Sequence, residues 1–486
     1  MAQATHCRKG EAGYNVFLEG TMGDTLRSQT ISMQNQGIAS QVARDSRQGS
    51  NKRPTDAPPI LVRESSLVRI ETLAKADPSM VFTSLAHRID LSLLGKSFKE
   101  LRKNKSSGVD KVTAKEYVAN LDENLYKLHQ RLQRGQYVAQ PVKRIWVDKE
   151  DGKQRPIGIS ALEDKIVQKA VTTILGVVYE PLFHDFSHGF RPEHSQHLAI
   201  AEIREKSREL NINWILSADI TGLFDNIEHG LLRDLIRLRV NDGGILRLIG
   251  KWLNAGVAES GEITYPEKGT PQGGVVSPTL SNIFLHYVLD DWFVKTVQPR
   301  MKGKCFIIRF ADDFIIGFQL ESDAKRLMEV LPKRFERFAL SLHPKKTRLI
   351  AFGKPARNAK PQGTFDFLGF TFYWGKSLKG NWVIKKKTAR KRRNRFMRML
   401  WSWCKENRHD PISEQHETLC SKLRGFYQYF GVRSNFKVLE VVFEYAEKAW
   451  RHWLGRRHRD GYISYKKFNK ILERFPLPRP RIVHNI

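Results

Sequence analysis

Apolar and polar positions show no sustained period over the first part of the chain. Gln, Ser, Gly, Thr and Asn dominate there, and Asn51-Lys52-Arg53-Pro54-Thr55-Asp56-Ala57-Pro58-Pro59 reads as a linker. Residues 1–62 are therefore expected to form an unstructured polar and basic arm. From Leu67 the pattern changes, with Leu67, Ile70, Leu73 and Ala74 at helical spacing. A second helical stretch, Tyr117–Leu132, sets Leu121, Leu125, Leu128 and Leu132 on one face. A short strand, Lys143–Val147, precedes a turn at Asp151-Gly152. In the middle third, Trp214–Asp219, Cys305–Phe310 and Phe314–Phe318 are brief, almost continuously apolar runs bounded by charged or turn residues. That is the pattern of central strands buried on both faces. From about Gly375 the chain is expected to turn helical, with Lys385-Lys386-Lys387 and Arg390-Lys391-Arg392-Arg393 interleaved with Phe396, Met399, Leu400, Trp401 and Trp403. The fold class is α+β.

Charge narrows the partner. The 486 residues carry 82 Lys and Arg against 51 Asp and Glu, a formal net charge of +31. Such an excess repels itself unless an anion offsets it, and a nucleic-acid backbone does so by releasing counterions. Hydrophobic residues at 41% suffice for real cores, and the length implies two to four folding units. Four cysteines (Cys7, Cys305, Cys404 and Cys420) show no C-x-x-C spacing, which argues against a zinc finger or a disulfide framework. There is no run of about 18 apolar residues and no signal-like N-terminus. The expectation is a cytoplasmic protein that does not engage a membrane.

The chemistry concentrates in acidic residues at strand ends. Arg309-Phe310-Ala311-Asp312-Asp313-Phe314 lies between two apolar strands and reads as a β-hairpin tip. Two adjacent carboxylates repel, and a divalent cation holds both ionised; alone, the segment fits a solvated turn equally well. A second buried strand, ending at Asp219, weighs against that alternative. Asp219, Asp312 and Asp313, with the Ile220 carbonyl, supply hard oxygen ligands for two Mg²⁺ ions. Such a pair, about 4 Å apart, supports in-line displacement at phosphorus. Asp225 is assigned to capping the helix through Leu231, Leu232, Leu235 and Ile236. Between the acidic strands lies Gly269-Thr270-Pro271-Gln272-Gly273-Gly274, whose paired glycines allow close backbone approach to a ligand.

In this order the segments resemble group II intron reverse transcriptases and maturases, from about Leu67 to the C-terminus. Lys105-Ser106-Ser107-Gly108-Val109-Asp110 is similar to the family's N-terminal extension motif. It is followed by Arg155-Pro156-Ile157-Gly158-Ile159, Ser187-His188-Gly189-Phe190-Arg191-Pro192, the Asp219 strand, the Gln272 loop and the Asp312-Asp313 hairpin. His343-Pro344-Lys345-Lys346-Thr347 and Phe367-Leu368-Gly369-Phe370 come next. Lys422-Leu423-Arg424-Gly425-Phe426-Tyr427-Gln428-Tyr429-Phe430 resembles a maturase RNA-binding helix. There the aromatics are expected to face the core and the cations RNA.

The resemblance implies a right-hand polymerase of fingers, palm and thumb with a helical maturase region. Fingers and palm would occupy 63–375, the thumb and maturase domain 376–455, and a basic tail 456–486, with no endonuclease domain expected. It implies an RNA-directed DNA polymerase that copies RNA into DNA with two Mg²⁺ ions and binds intron RNA for splicing and retrohoming. Its partners would be structured intron RNA, an RNA template with a DNA primer, dNTPs and target DNA. Lys149 and Arg155 would meet the nucleotide triphosphate, although both also fit ordinary solvated charge. Phe224 would be the steric gate against a 2′-hydroxyl. Arg191, Gln272 and Gly273 would contact nucleotide or template. Lys346 would act as general acid toward pyrophosphate or balance charge. Phe310 stands where the family commonly has Tyr. Two other readings are a reverse transcriptase domesticated for repair or phage defence, and a maturase that binds RNA without polymerising.

Overall fold

The structure, a computed structural model, describes residues 60–101, 106–148, 154–259, 261–265, 267–270, 273–458 and 461–486, with the side chains of 60–66 and 148 excepted. Helix α1 (Ile60–Ala76) begins inside the arm drawn to residue 62, while residues 1–59 of that arm lie outside the described residues. Asp90 caps α2 (Leu91–Glu100) by accepting from the Leu93 N–H, 2.8 Å. Thr113 and Glu116 close a reciprocal capping box over α3 (Ala114–Val118). Helix α4 (Leu121–Gln133) buries Leu125 and Leu128, with Leu121 and Leu132 packed beside them, as its spacing requires. Strands β1 (Val142–Asp148) and β2 (Gln154–Ile159) pair antiparallel. Helix α5 (Leu162–Tyr179) is buried through most of its length.

After α6 (Gln196–Glu209) come β3 (Trp214–Asp219), the single turn α7 (Leu223–Asn226), α8 (His229–Arg237) and α9 (Gly243–Leu253). Short strands β4 (Val257–Glu259) and β5 (Glu262–Thr264) join β1 and β2 in one sheet of order β2-β1-β4-β5. Helix α10 (Ser277–Leu285) runs on through π-helical turns at His286–Asp290 and Phe293–Val297. Then follow β6 (Cys305–Phe310), β7 (Asp313–Phe318), α11 (Glu321–Glu336) and β8 (Arg348–Ala351). A three-stranded sheet of β9 (Phe365–Phe367), β10 (Phe370–Lys376) and β11 (Trp382–Thr388) leads into α12 (Arg390–Glu406), α13 (Ile412–Phe430), α14 (Phe436–Gly455) and α15 (Tyr465–Arg474).

The antiparallel sheet β6-β7-β3-β8 lies between two cores. Leu216, Ala218, Ile307, Phe314, Ile316 and Phe318 enter the core built with α5, α9, α10 and α11. Ile215, Phe306, Ile308 and Ile315, one residue out of phase, enter a second core with α6, β10 and α12 to α14. Apolar residues are thus needed at both parities, and the strand sequences are continuous runs for that reason.

Several expectations need correction. The Lys385–Lys387 run stands on strand β11, paired to β10, so helix begins only at Arg390. The boundary drawn at 375/376 falls inside that hairpin. Asp225 does not cap the following helix, because it belongs to the separate turn α7. Glu228 caps α8, accepting from Gly230 and Leu231 N–H groups at 2.9 and 2.5 Å. Residues 465–486 are docked rather than trailing: Phe468 and Leu477 are buried in the second core, and His484 bonds the Gln428 carbonyl at 2.7 Å.

Candidate active site

Strand β3 delivers Asp219 directly opposite Asp313, the first residue of β7, and Phe310 pairs with Asp313 to close a two-residue turn of Ala311 and Asp312. The three acids therefore meet at one end of the central sheet. Ala311 adopts φ +56°, a left-handed conformation that costs a Cβ-bearing residue about 1–2 kcal/mol. What holds the turn is packing from beneath. The Ser187–Arg191 loop lies against it, with the His188 N–H donating to the Arg309 carbonyl (2.8 Å) and the Arg309 N–H to Phe186 (2.9 Å). Gly189 sits so close that a Cβ there would stand 2.4 Å from the Ala311 nitrogen.

Sequence reasoning assigned no role to Arg309, which the structure makes the keystone of this hairpin. Its side chain is fully buried and all five of its N–H donors are used. Two go to Asp290 (2.8 and 2.5 Å) and one each to Asn282 Oδ1 (3.0 Å), Ser187 Oγ (2.6 Å) and the Ala311 carbonyl (3.1 Å). A fixed five-donor fork ties α10, the 187 loop and the turn together. The signal that could have found it is the charge itself, an arginine alternating inward within an otherwise apolar strand.

Asp313 is reached by solvent at the head of β7, yet the cleft walls surround it. Loss of hydration, reinforced by the Asp312 charge and by a hydrogen bond that the protonated Asp313 donates to Asp219, pushes its pKa up to about 8. Asp312 is likewise raised, chiefly by desolvation and then by Asp219, against the pull of its own backbone N–H, Arg155 and Lys346. Crowded carboxylates driven by burial and mutual repulsion to hold a proton are a set of hard oxygen donors, which suits divalent metal ions. The Ile220–Leu342 bridge engages the Asp219 carbonyl and the Thr221 N–H, leaving the Ile220 carbonyl outside it.

Cations flank the acids. Lys346 Nζ meets Asp219 Oδ2 at 2.7 Å, carried there by the loop that begins with the His343 N–H donating to the Asp219 carbonyl (2.8 Å). Desolvation pulls the Lys346 pKa down, but the Asp219 hydrogen bond and the three carboxylates leave it raised overall. Arg155, on β2, acts electrostatically on Asp312. The loop after Gly269 joins both sides of the cleft. The Thr270 N–H donates to the Phe224 carbonyl (2.6 Å), and Gly273, at φ +110°, would place a Cβ 2.6 Å from the Gly158 oxygen. The half-buried Phe224 thus sits five residues beyond Asp219, pinned by the loop that leads to Gln272. Lys149 and Gln272 themselves lie outside the described residues.

Arg191 does not join this group. Its guanidinium is turned inward, bonding Glu180 at 2.8 Å, the His184 and Ser187 carbonyls at 2.7 Å and the Phe183 carbonyl at 3.4 Å. It shapes the loop under the hairpin instead of presenting charge to a ligand, because the short loop leaves three carbonyls in need of a donor. On α13, Phe426, Tyr427 and Phe430 are buried while Arg424 is exposed, as the helix periodicity requires. No described helix is long and apolar enough to cross a membrane.

Residues 147–372 match the family described as reverse transcriptase (RNA-dependent DNA polymerase). The group II intron-encoded protein LtrA of Lactococcus lactis subsp. cremoris is 44% identical over 183 residues, which cover 37% of this chain and 29% of that protein. Protein YkfC of Escherichia coli (strain K12) is 35% identical over 222 residues, covering 45% of this chain and 56% of the relative. The putative COX1/OXI3 intron 1 protein of Saccharomyces cerevisiae is 26% identical over 400 residues, covering 66% and 46%. The chain thus spans less than a third of the length of the lactococcal relative and about 56% of the enterobacterial one. The match runs from β1 through β10 and includes Asp219, Asp312 and Asp313, so the mixed helix-and-sheet unit around them is a polymerase palm-like fold. Residues 147–372 are thus similar to reverse transcriptases, and the relatives that match there include proteins named for group II introns.

Proposed function

We propose that this chain is an RNA-directed DNA polymerase that copies RNA into DNA and also binds intron RNA to assist splicing and retrohoming. The observation that carries the reading is the meeting of Asp219, Asp312 and Asp313 at one sheet end with Lys346 and Arg155 beside them. Asp219, Asp312, Asp313 and the Ile220 carbonyl would hold two Mg²⁺ ions. Bound there, such ions lower the pKa of a primer 3′-hydroxyl and neutralise the charge that builds on the leaving pyrophosphate. The protein's own part is positioning. Arg309 and Gly189 fix the turn that aims Asp312 and Asp313, and Lys346, kept protonated by its carboxylate neighbours, can give a proton to the departing phosphate. Arg155 offsets triphosphate charge. The Phe224 ring would collide with a ribose 2′-hydroxyl and so select dNTPs.

In the same reading the units are fingers and palm up to the β9-β10-β11 sheet, and a thumb and maturase region from α12 onward. Exposed Lys391, Arg398 and Arg424 would meet RNA phosphates there. Lys149 and Gln272 are carried in the proposal as nucleotide and template contacts. The template–primer, dNTPs, intron RNA and target DNA are its partners. The test is primer extension on an RNA template with Mg²⁺ and dNTPs. Wild type should extend and an Asp312→Ala, Asp313→Ala variant should not, while both bind RNA equally. Phe224→Ala should begin to accept rNTPs. A folded, RNA-binding wild type that fails to extend would overturn the polymerase reading.

A further inference from the structure

Behind the catalytic hairpin, two imidazoles and a carboxylate converge. One ligand atom each from His184, His286 and Asp291 lies within 4.8 Å of the other two, the one such His, Cys, Asp or Glu group among the described residues. His184 comes from the chain just after α5. His286 and Asp291 come from the π-helical turn that extends α10, where the Asp291 N–H bonds the His286 carbonyl. That wider turn brings residues five apart onto one side, and such turns collect at functional sites. The His184 Nε2 to Asp291 Oδ1 distance is 3.0 Å.

A plain ion pair between His184 and Asp291 would account for two of the three residues. It does not account for His286, which is 3% exposed and whose Nδ1 is buried with no hydrogen-bond partner. A buried imidazole nitrogen without a partner is unfavourable unless something else occupies its lone pair or takes its proton. The surroundings suit a bound ion. Lys295 holds the other Asp291 oxygen at 2.6 Å, so Oδ1 is the oxygen turned toward His184. The His184 ring is stacked on Phe186, with centroids 5.1 Å apart, and the His286 ring is enclosed by Phe183 and Tyr287. Aromatic walls of this kind exclude water, and hydrogen bonds to a ligand's far side orient it.

We propose that His184, His286 and Asp291 bind a transition-metal ion of the Zn²⁺ kind, at a site separate from the catalytic carboxylates. Two nitrogens and one oxygen suit Zn²⁺ better than Mg²⁺, which prefers an all-oxygen shell. Ligands about 2.0–2.2 Å from a tetrahedral ion stand roughly 3.3 Å from one another. His184 and Asp291 stand close to that spacing at 3.0 Å, and a His286 nitrogen lies within 4.8 Å of both. His184 and Asp291 are partly exposed, at 26% and 19% of their side chains, which gives an entry path and leaves the fourth position to water. The site has a structural consequence, because the residue before Asp291 is Asp290, the partner of Arg309. Metal there fastens the chain after α5 to the extended α10 at the point where the catalytic turn is anchored.

The test uses the full chain, stripped with chelator, reloaded with Zn²⁺ alone and passed over a gel-filtration column before metal analysis. Wild type is expected to retain one equivalent, and the Asp312→Ala, Asp313→Ala variant the same. His184→Gln and Asp291→Asn should each weaken Zn²⁺ binding by about 10–100-fold, with circular dichroism confirming that they fold. Should Asp291→Asn unfold, His184→Gln alone decides. Wild type should also gain thermal stability on Zn²⁺ addition, and His184→Gln should not. Failure of the wild type to retain Zn²⁺ would overturn the proposal. So would undiminished retention by His184→Gln, or loss of the ion with the Asp312 and Asp313 substitutions. None of these outcomes depends on polymerase activity, so the proposed function stands or falls separately.

Discussion

Single residues at the site are held in states they would not adopt alone. Asp313, with its pKa pushed up to about 8, favours the protonated form in the folded protein, whereas in the unfolded chain it ionises near the usual Asp value, about 4. Its contribution to stability is therefore fully present below about pH 4 and is lost as pH rises toward 8. Melting temperatures measured without metal from pH 5 to 9 should fall more steeply for wild type than for Asp313→Asn. Mg²⁺ should restore more stability at pH 8 than at pH 6, because binding displaces that proton; an equal gain at both pH values would refute the picture of a proton held on Asp313. Arg309 is the opposite case, a charge whose every donor is matched. Arg309→Met leaves Asp290 buried without its cation and should cost about 3–5 kcal/mol in denaturant unfolding. Adding Asp290→Leu should recover part of that loss, since the cost comes from a lone charge and not from the missing pair.

At the scale of elements, the geometry of the proposed active site depends on how closely backbones approach. The 187–191 loop can touch the Ala311 turn only because residue 189 has no side chain. Gly189→Ala must push the turn aside, and displacement of catalytic groups by about 1 Å is worth roughly 10²-fold in rate. Primer extension should show that loss in kcat with template binding unchanged; a loss confined to KM would place the loop's role elsewhere. The acidic strand ends were legible in the sequence because their chemistry and their burial point the same way. Asp219 and Asp313 end or begin apolar runs, and the structure pairs them. Arg191 was misread because a cation in a Gly- and His-rich loop looks the same whether it faces a ligand or three local carbonyls. The Lys385–Lys387 run was misread as helix because alternation on β11 hides behind three identical charges, with only Lys386 turned inward. Asp225 was taken for a cap because periodicity does not reveal where one short helix stops and the next begins.

For the whole molecule, a central sheet shared by two cores joins the acidic end to the basic C-terminal helices. Ile215 and Ile315 pack into the same core as Phe426 and Phe430, so the proposed RNA-binding region rests on the back of the sheet that carries Asp219 and Asp313. The +31 net charge is tolerable in such an arrangement if much of it lies on outward faces where phosphates replace repulsion with attraction. Lys391, Arg398 and Arg424 are exposed while the intervening Phe396, Leu400, Leu423 and Phe426 are buried. Binding to structured RNA should therefore weaken linearly with the logarithm of salt concentration. Replacing these three cations with Gln should reduce the slope by about 0.7–0.9 for each phosphate no longer neutralised. Because the buried aromatics are untouched, the melting temperature should hold or rise as repulsion falls. An unchanged slope in the triple variant would move the RNA-binding face away from α12 and α13. A reduced slope with intact primer extension on short templates would separate RNA anchoring from catalysis across the shared sheet.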